Sequence, residues 1–222
     1  MKGLHRVSRF GFVNCYLIVE DDGLTLVDTM LPGSAKRILA AARGIGQPIV
    51  RIVLTHAHGD HVGSLDALGG ELAQAEVSIG ARDARLLAGD KTLDPGEPDD
   101  KLRGSYPGTD TRPARTLAAG ERVGSLEVVP APGHTPGQVA LLDTRDRTLL
   151  CGDAFSTLGG LATSAKPNPR FPLPALATWH RQTALESARA LRALEPSRLA
   201  PGHGKVVEHP SAAMDAAIAK AS

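Results

Sequence analysis

The sequence has few aromatic residues and almost no net charge, and together these shortages exclude one class of function. Aromatic residues make up 3% of the 222 residues, and 25 Lys and Arg nearly balance 24 Asp and Glu to leave a net charge of +1. A general nucleic-acid-binding protein needs a basic surface, commonly with aromatic groups on which bases stack. The sequence therefore predicts no nucleic-acid partner.

Long hydrophobic runs are also missing. The longest nearly apolar stretch covers only residues 11–19, whereas a helix needs about 20 apolar residues to cross a bilayer. The first residues carry Lys2, Arg6 and Arg9 but continue into a strand-like segment, unlike a secretory signal. We therefore expect a cytoplasmic protein without a membrane partner.

The sequence contains two cysteines, Cys15 and Cys151, both within apolar segments. Two such residues make no disulfide framework, and we expect them to be buried thiols. The length and the 42% hydrophobic content suit one domain over residues 1–222 with a sizeable core. Nothing in the sequence indicates an oligomeric state.

Strand and helix patterns alternate along the chain, which predicts a layered α/β architecture. Strands are predicted at residues 12–19, 24–27, 48–54, 77–79, 125–129, 139–142, 148–150 and 198–200. Helices are predicted after Ser34 as N-cap, from Leu65 to a stop at Gly69-Gly70, along the apolar face 184–194, and at the Ala-rich end of the chain. Residues 89–116 and 159–174 are rich in Gly and Pro and predict surface loops.

Histidine, in contrast, is abundant, with eight residues. Four segments share one pattern, in which an apolar strand is followed by a sharp turn containing Gly or Pro and then by His or Asp. Strand ends of fixed spacing can direct such side chains to one point. We call the residues presented in this way the seven candidate ligands: His56, His58, Asp60, His61, His134, Asp153 and His203. His5, His180 and His209 lie outside the pattern.

Neutral imidazole and carboxylate groups are ligands that suit zinc, iron or manganese. His56 and His58 can bind one ion from the same side, completed by His134. Asp60 and His61 can face a second ion, completed by His203, with Asp153 bridging the two. Each ion keeps an open position for water, which is typical of catalytic sites. The sequence therefore predicts two divalent ions, with zinc favoured and iron or manganese as alternatives.

In these motifs the sequence resembles the metallo-β-lactamase-fold hydrolases. The resemblance rests on HAHGDH at 56–61, GHTPG at 133–137, GD at 152–153 and GHG at 202–204, and it covers nearly the whole chain. It implies an αββα sandwich of two mixed β-sheets flanked by helices, similar to short glyoxalase II-like and lactonase-like hydrolases. It also implies that the strand-end Asp28 supports the metal site.

Two divalent ions can lower the pKa of a shared water towards 7, and the resulting hydroxide attacks a carbonyl carbon. We predict this reaction on an ester, lactone or thioester of a small molecule, with Asp60 orienting the nucleophile. In the 89–116 loop, the cations Lys101, Arg103, Arg112 and Arg115 could bind an anionic group. An apolar tail could be bound by Phe155, Leu158, Phe171 and Trp179. Tyr106 could donate a hydrogen bond to the substrate carbonyl.

Several alternatives remain open at this point. A typical glyoxalase II carries a C-terminal helical domain that binds glutathione, whereas 19 residues follow His203 here. The sequence therefore disfavours a typical glyoxalase II and leaves a short thioesterase variant open. A β-lactam hydrolase is less expected, because one major class has cysteine where this chain has Asp153. Another alternative is a mononuclear iron sulfur dioxygenase of the same fold, in which two histidines and an Asp bind one iron. The last alternative is a non-catalytic metal-binding protein.

Overall fold

The computed structural model describes residues 3–222, and its strands and helices alternate through most of that range. The strands are β1 (Leu4–Arg9), β2 (Val13–Glu20), β3 (Gly23–Val27), β4 (Ile49–Leu54), β5 (Glu76–Gly80), β6 (Arg115–Leu117), β7 (Arg122–Val123), β8 (Leu126–Pro130), β9 (Val139–Asp143), β10 (Thr148–Gly152), β11 (Phe155–Ser156), β12 (Ala162–Thr163), β13 (Arg198–Pro201) and β14 (Val207–Glu208). The helices are α1 (Ala35–Ile45), α2 (Gly59–Val62), α3 (Leu65–Glu71), α4 (Ala81–Leu87), α5 (Leu173–Leu176), α6 (Arg181–Ala193) and α7 (Ser211–Ala221).

Twelve of the strands form two sheets of six. The first has the order β1-β2-β3-β4-β5-β6, antiparallel from β1 to β3 and parallel from β3 to β6. The second has the order β14-β13-β10-β9-β8-β7, in which only β10 and β13 run parallel. Both sheets are therefore mixed, and β11 and β12 form a separate hairpin.

Alternate side chains of each central strand enter different core clusters. On β4, Val53 packs between the sheets whereas Ile52 and Leu54 pack with residues of α1, α3 and α4. On β10, Leu150 packs between the sheets while Leu149 packs with residues of α6 and α7. Because side chains of a strand alternate between faces, each sheet is covered on both sides. This arrangement confirms the predicted αββα sandwich.

Most predicted elements are present, and three of the differences concern the helices α1, α3 and α4. Helix α3 continues through Gly69 and Gly70 to Glu71, because the buried Leu65 and Leu68 hold it on the first sheet. Helix α4, which the sequence did not predict, is similarly held by its buried leucines. Ser34 precedes α1 but its hydroxyl donates to the Leu31 carbonyl instead of capping the helix.

The predicted loop at 89–116 is irregular until β6 begins, whereas residues 159–174 include β12 and the start of α5. The two cysteines are buried free thiols, as predicted, and burial raises the pKa of both. Within residues 3–222, no helix combines the length and apolar character needed to cross a membrane.

Candidate metal centre

The parallel strands bring the predicted loops to one edge of the sandwich. Strands β3, β4 and β5 end there and lead to Asp28, to His56 and to α4. On the second sheet the parallel strands β10 and β13 end at the same edge. Asp153 follows β10 directly, and Gly202 separates β13 from His203. A backbone hydrogen bond from Val139 N to Thr55 O, 2.9 Å long, joins the two sheets at this edge.

All seven candidate ligands meet at this edge in three overlapping groups, and within each group the nitrogen and oxygen atoms lie within 4.8 Å of one another. The groups are His56, His58 and His134; His56, His61 and Asp153; and Asp60, His61 and His203. Six of the seven side chains are buried and Asp60 is half-buried. The first group matches the first predicted ion site and the third group matches the second. Asp153 belongs to the remaining group, which lies between them.

In the first group, the outer nitrogen of each histidine donates a hydrogen bond to an oxygen that can only accept it. His58 Nε2 donates to the Arg103 carbonyl at 2.9 Å, because a carbonyl has no proton to give. The hydroxyls of Thr55 and Thr178 donate elsewhere, to Asp28 and to the Pro174 carbonyl. They therefore accept from His56 Nδ1 and His134 Nδ1, each at 3.0 Å.

This pattern leaves three bare nitrogen lone pairs facing one another. His58 Nδ1 and His134 Nε2 are 3.0 Å apart, and the buried His56 Nε2 has no hydrogen-bond partner in the described chain. Burial lowers the pKa of His56, of His58 and, to about 3, of His134, so the three rings are neutral. Three converging acceptors without a donor fit a cation held between them.

The other two groups, apart from the neutral His56, join carboxylates and histidines of opposite charge. His203 Nε2 lies 3.1 Å from Asp153 and 3.2 Å from Asp60, and His61 Nε2 lies 3.3 Å from Asp153. Burial opposes the charge on His203, yet Asp153 raises its pKa to about 9. The pKa of His61 is likewise raised, because the negative charges of Asp153 and Asp28 outweigh the effect of burial. These protons occupy the places between carboxylate and imidazole that a second cation would take.

Asp28 holds His61 from outside the cluster. Its Oδ2 accepts from His61 Nδ1 at 2.8 Å, and its Oδ1 accepts from Thr55 N at 2.8 Å. The resemblance implied that Asp28 supports the metal site, and its hydrogen bond with His61 is the contact through which it would do so. Because the Nδ1 proton of His61 is held by Asp28, Nε2 is the nitrogen that would bind a cation once the cation displaces its proton.

Asp83 is a supporting residue that the sequence analysis missed. This fully buried carboxylate accepts hydrogen bonds from Ala57 N at 2.9 Å, Thr135 Oγ1 at 2.7 Å and Gly137 N at 2.7 Å. It therefore joins the loop of His56 and His58 to the loop of His134. Burial nevertheless raises the pKa of Asp83 to about 6. Asp83 lies on α4, a helix that the sequence pattern did not predict, so no feature of the sequence identified it as a supporting residue.

Two buried residues of β2 hold the His203 loop in the same way. Asn14 Nδ2 donates to the carbonyls of Pro201 and Gly204, and Tyr16 OH donates to Pro201 at 2.7 Å. Within this loop Gly202 approaches the cluster so closely that an added Cβ would lie 2.4 Å from Asp153 Oδ1. Only glycine fits there without displacing a candidate ligand.

The 89–116 loop covers the first group through its backbone. Besides the contact of Arg103 with His58, Ser105 O accepts from Gly59 N at 2.9 Å. The Tyr106 ring lies 4.6 Å from the His58 ring, but its hydroxyl is buried without a partner in the described chain. Tyr106 is not among the residues that line the cavity beside the cluster, so nothing supports its predicted contact with a substrate carbonyl.

That cavity has a volume of about 220 Å³. Five candidate ligands and seven apolar residues line it: His58, Asp60, His134, Asp153, His203, Phe12, Val13, Leu31, Phe171, Leu173, Pro174 and Ala177. Of the predicted apolar residues only Phe171 lines the cavity. Leu158 is not part of the lining, Phe155 lies in the core, and Trp179 Nε1 donates to Asp100 O. A larger cavity of about 630 Å³, between residues 159–170 and α7, contains none of the candidate ligands.

The predicted anionic subsite on the 89–116 loop is absent from this cavity. None of the cations on the loop lines it, since a loop can present its backbone inwards while its charged side chains remain in solvent. The three other histidines are also elsewhere: His5 and His209 are exposed, and His180 caps α6 by accepting from Thr183 N.

Comparisons with known proteins agree with this geometry. The chain is 49% identical over 210 residues to the uncharacterized protein YobT of Bacillus subtilis, covering 94% of this chain and 90% of YobT. It is 30% identical over 225 residues to the probable metallo-hydrolase YflN of the same organism, covering 91% and 84%. The structure of TTHA1623 in a di-iron-bound form matches with a TM-score of 0.69 and 25% identity, covering 95% of this chain and 96% of that one.

The model of one protein family matches residues 8–203 and so includes every candidate ligand. The matched span is most of the chain, and it agrees with the two mixed sheets and with the cluster at their shared edge. The chain belongs to the metallo-beta-lactamase superfamily.

Proposed function

We propose that this protein is a hydrolase that binds two divalent metal ions at the seven candidate ligands and cleaves an ester, lactone or thioester of a small molecule. The 1–222 chain would act as one catalytic domain. Superfamily membership and the similarity to a probable metallo-hydrolase support the hydrolase class. The nitrogen and oxygen ligands favour zinc, with iron or manganese as alternatives.

The convergence of His56 Nε2, His58 Nδ1 and His134 Nε2 is the observation that carries this proposal. Each ring is neutral, each has its proton fixed on the outer nitrogen, and the three lone pairs face one another. A buried arrangement of this kind is unfavourable unless a cation occupies it. Asp153, with Oδ1 3.3 Å from His61 Nε2 and Oδ2 near His203 and His134, is the group best placed to serve both ions.

When bound, two divalent ions would supply a water of lowered pKa and polarise a carbonyl oxygen. The side chains of the protein would hold the ions and orient the reacting groups. Burial raises the pKa of Asp60, but His61 and His203 outweigh it and lower that pKa below its usual range. Asp60 is therefore ionised, lines the cavity, and can orient a nucleophilic water by accepting a hydrogen bond from it. No Ser or Cys lines this cavity within the described chain, so no side-chain nucleophile competes for the role.

Metal analysis combined with a substrate panel tests the proposal. The purified protein is loaded with zinc, manganese or iron, its metal content is measured, and it is assayed with lactones, thioesters, esters and β-lactams. We expect two ions per chain and turnover of a carbonyl ester, lactone or thioester. Asp153→Ala should lower both metal content and turnover, whereas Asp215→Ala, an exposed residue of α7, should change neither.

The other outcomes identify the alternatives. One iron per chain, together with consumption of oxygen when a persulfide is the substrate, would indicate a sulfur dioxygenase. Turnover restricted to β-lactams would indicate that branch of the superfamily. Tight metal binding without hydrolysis of any compound would indicate a non-catalytic metal-binding protein.

A further inference from the structure

We propose that the cavity beside the metal centre is a pocket for an uncharged, apolar acyl or alkyl group, so that the substrate carries such a group next to the bond that is cleaved. This inference rests on the proposed function and deepens it. We call the cavity the acyl pocket.

The wall of the acyl pocket opposite the candidate ligands is apolar. It comprises Phe12 from the β1–β2 turn, Leu31 from the segment after β3, and Phe171, Leu173, Pro174 and Ala177 from the segment around α5. Apolar side chains that face a cavity bind apolar groups because both surfaces leave water.

The apolar surface begins directly at the metal centre. Phe171 lies 5.4 Å from the ring of His203, and Phe12 lies 6.4 Å from it. The two phenyl rings also meet edge to face, 5.8 Å apart, and so join the two sides of the pocket. An apolar group held here is adjacent to the ligands of the proposed second ion.

The pocket is open to solvent at an apolar residue. Leu173 lines the pocket and is 59% exposed, so its apolar surface extends from the cavity to the solvent. Apolar lining of this kind is typical of small-molecule binding sites.

No Lys or Arg side chain lines the pocket in residues 3–222. Arg9, on the adjoining turn, donates to the Pro32 carbonyl and to Ser34 Oγ, and it stacks over the Phe10 ring. Arg170, next to Phe171, lines the larger cavity instead. The anionic groups of a thiol such as glutathione therefore find no Lys or Arg partner in the pocket, whereas a neutral aliphatic group is buried favourably.

A chain-length series measures this preference. Unbranched acyl thioesters and lactones from two to ten carbons are assayed with the zinc-loaded protein, beside a glutathione thioester of the same acyl group. We expect kcat/KM to rise about threefold to fourfold for each methylene until the pocket is full. A flat series, or a preference for the glutathione thioester over its neutral counterpart, would overturn the inference.

Two leucines of α5 provide a matched pair of variants. Leu173→Glu should lower kcat/KM for an eight-carbon acyl group by about tenfold or more and leave the two-carbon substrate within about twofold, because it places a charge beside apolar atoms. Leu176→Glu introduces the same charge on the same helix, at similar exposure, outside the pocket lining. It should leave the chain-length series unchanged. Equal effects of both variants would contradict the pocket.

Binding of straight-chain alcohols separates this inference from the proposed function. Calorimetric titration with butanol, hexanol and octanol should show affinity rising with length in the natural protein and little rise in Leu173→Glu. That result without hydrolysis would remove the proposed function but keep the pocket. Hydrolysis without any length-dependent alcohol binding would keep the function and remove the pocket.

Discussion

The carbonyl oxygen of Arg103 accepts a hydrogen bond from His58 Nε2 at 2.9 Å, and this contact joins the long covering loop to the metal centre. It determines which nitrogen of His58 carries the proton, and therefore that Nδ1 faces the other candidate ligands. The backbone of the loop, not its charged side chains, acts on the site.

Gly104 tests this contact. A Cβ at residue 104 would lie 2.4 Å from His58 Nε2, and the φ of +84° is itself unfavourable for other residues. Gly104→Ala should displace the loop from His58 and weaken metal binding about 10- to 100-fold, measured by competition with a chromogenic chelator. Gly96→Ala is the control, because Gly96 has φ +90° and no atom within 4 Å of an added Cβ. An equal loss in both variants would show that backbone strain alone is responsible.

Asp28→Asn should weaken metal binding by a similar factor, about 10- to 100-fold. Asn tolerates the φ of +62° at this residue, so the backbone is retained. If the amide oxygen keeps its bond from Thr55 N, the amide nitrogen faces His61 Nδ1 and the proton of His61 moves to Nε2, which can then no longer bind a cation. Asp22→Asn, an exposed partner of Arg51, should leave metal binding unchanged. Unaltered affinity in Asp28→Asn would argue against the supporting role.

Asp83 should make the stability of the metal-free protein depend on pH. Because burial raises its folded pKa from 3.8 to about 6, the folded state keeps a proton that the unfolded state releases. The stabilisation from that proton is complete below pH 3.8 and is lost as pH rises through 6. The free energy of unfolding of the natural protein, relative to Asp83→Asn, should fall by on the order of 3 kcal/mol between pH 4 and 7. Urea titrations at several pH values measure this difference, and a constant difference would contradict it.

The two tyrosines should respond differently to loss of their hydroxyls. Tyr16 OH donates to the Pro201 carbonyl, so Tyr16→Phe should cost about 1 kcal/mol of the free energy of unfolding. Tyr106 OH is buried without a partner in the described chain and does not line the acyl pocket. Tyr106→Phe should therefore retain both stability and turnover. A loss of turnover in Tyr106→Phe would restore the predicted contact with the substrate carbonyl.

The residues of the candidate site could be predicted because their signals are local. Each loop consists of an apolar strand, a turn with Gly or Pro, and a His or Asp, all within about ten residues of sequence. Parallel strands end at one edge of a sheet, so the loops of β4, β10 and β13 meet once the sheets form. The buried thiols of Cys15 and Cys151 follow equally from their apolar neighbours.

The partners of those residues could not be predicted, because they come from distant elements. Asp83 lies 26 residues from Ala57 and 54 from Gly137, and Asn14 lies 187 residues from Pro201. No periodic pattern connects such pairs. The direction of side chains on long loops is likewise a tertiary property, which is why Tyr106 and the loop cations do not take their predicted places.

The sequence by itself determined the alternation of strands and helices and which residues stand at the strand ends, because hydrophobic periodicity and turn chemistry act over short distances. The sandwich of two mixed sheets was implied by the resemblance of its motifs to the metallo-β-lactamase-fold hydrolases. Only the tertiary structure decided which nitrogen of each histidine faces the centre and which side chains line the acyl pocket. Those choices depend on hydrogen bonds and packing between segments that meet only when the two sheets close on each other.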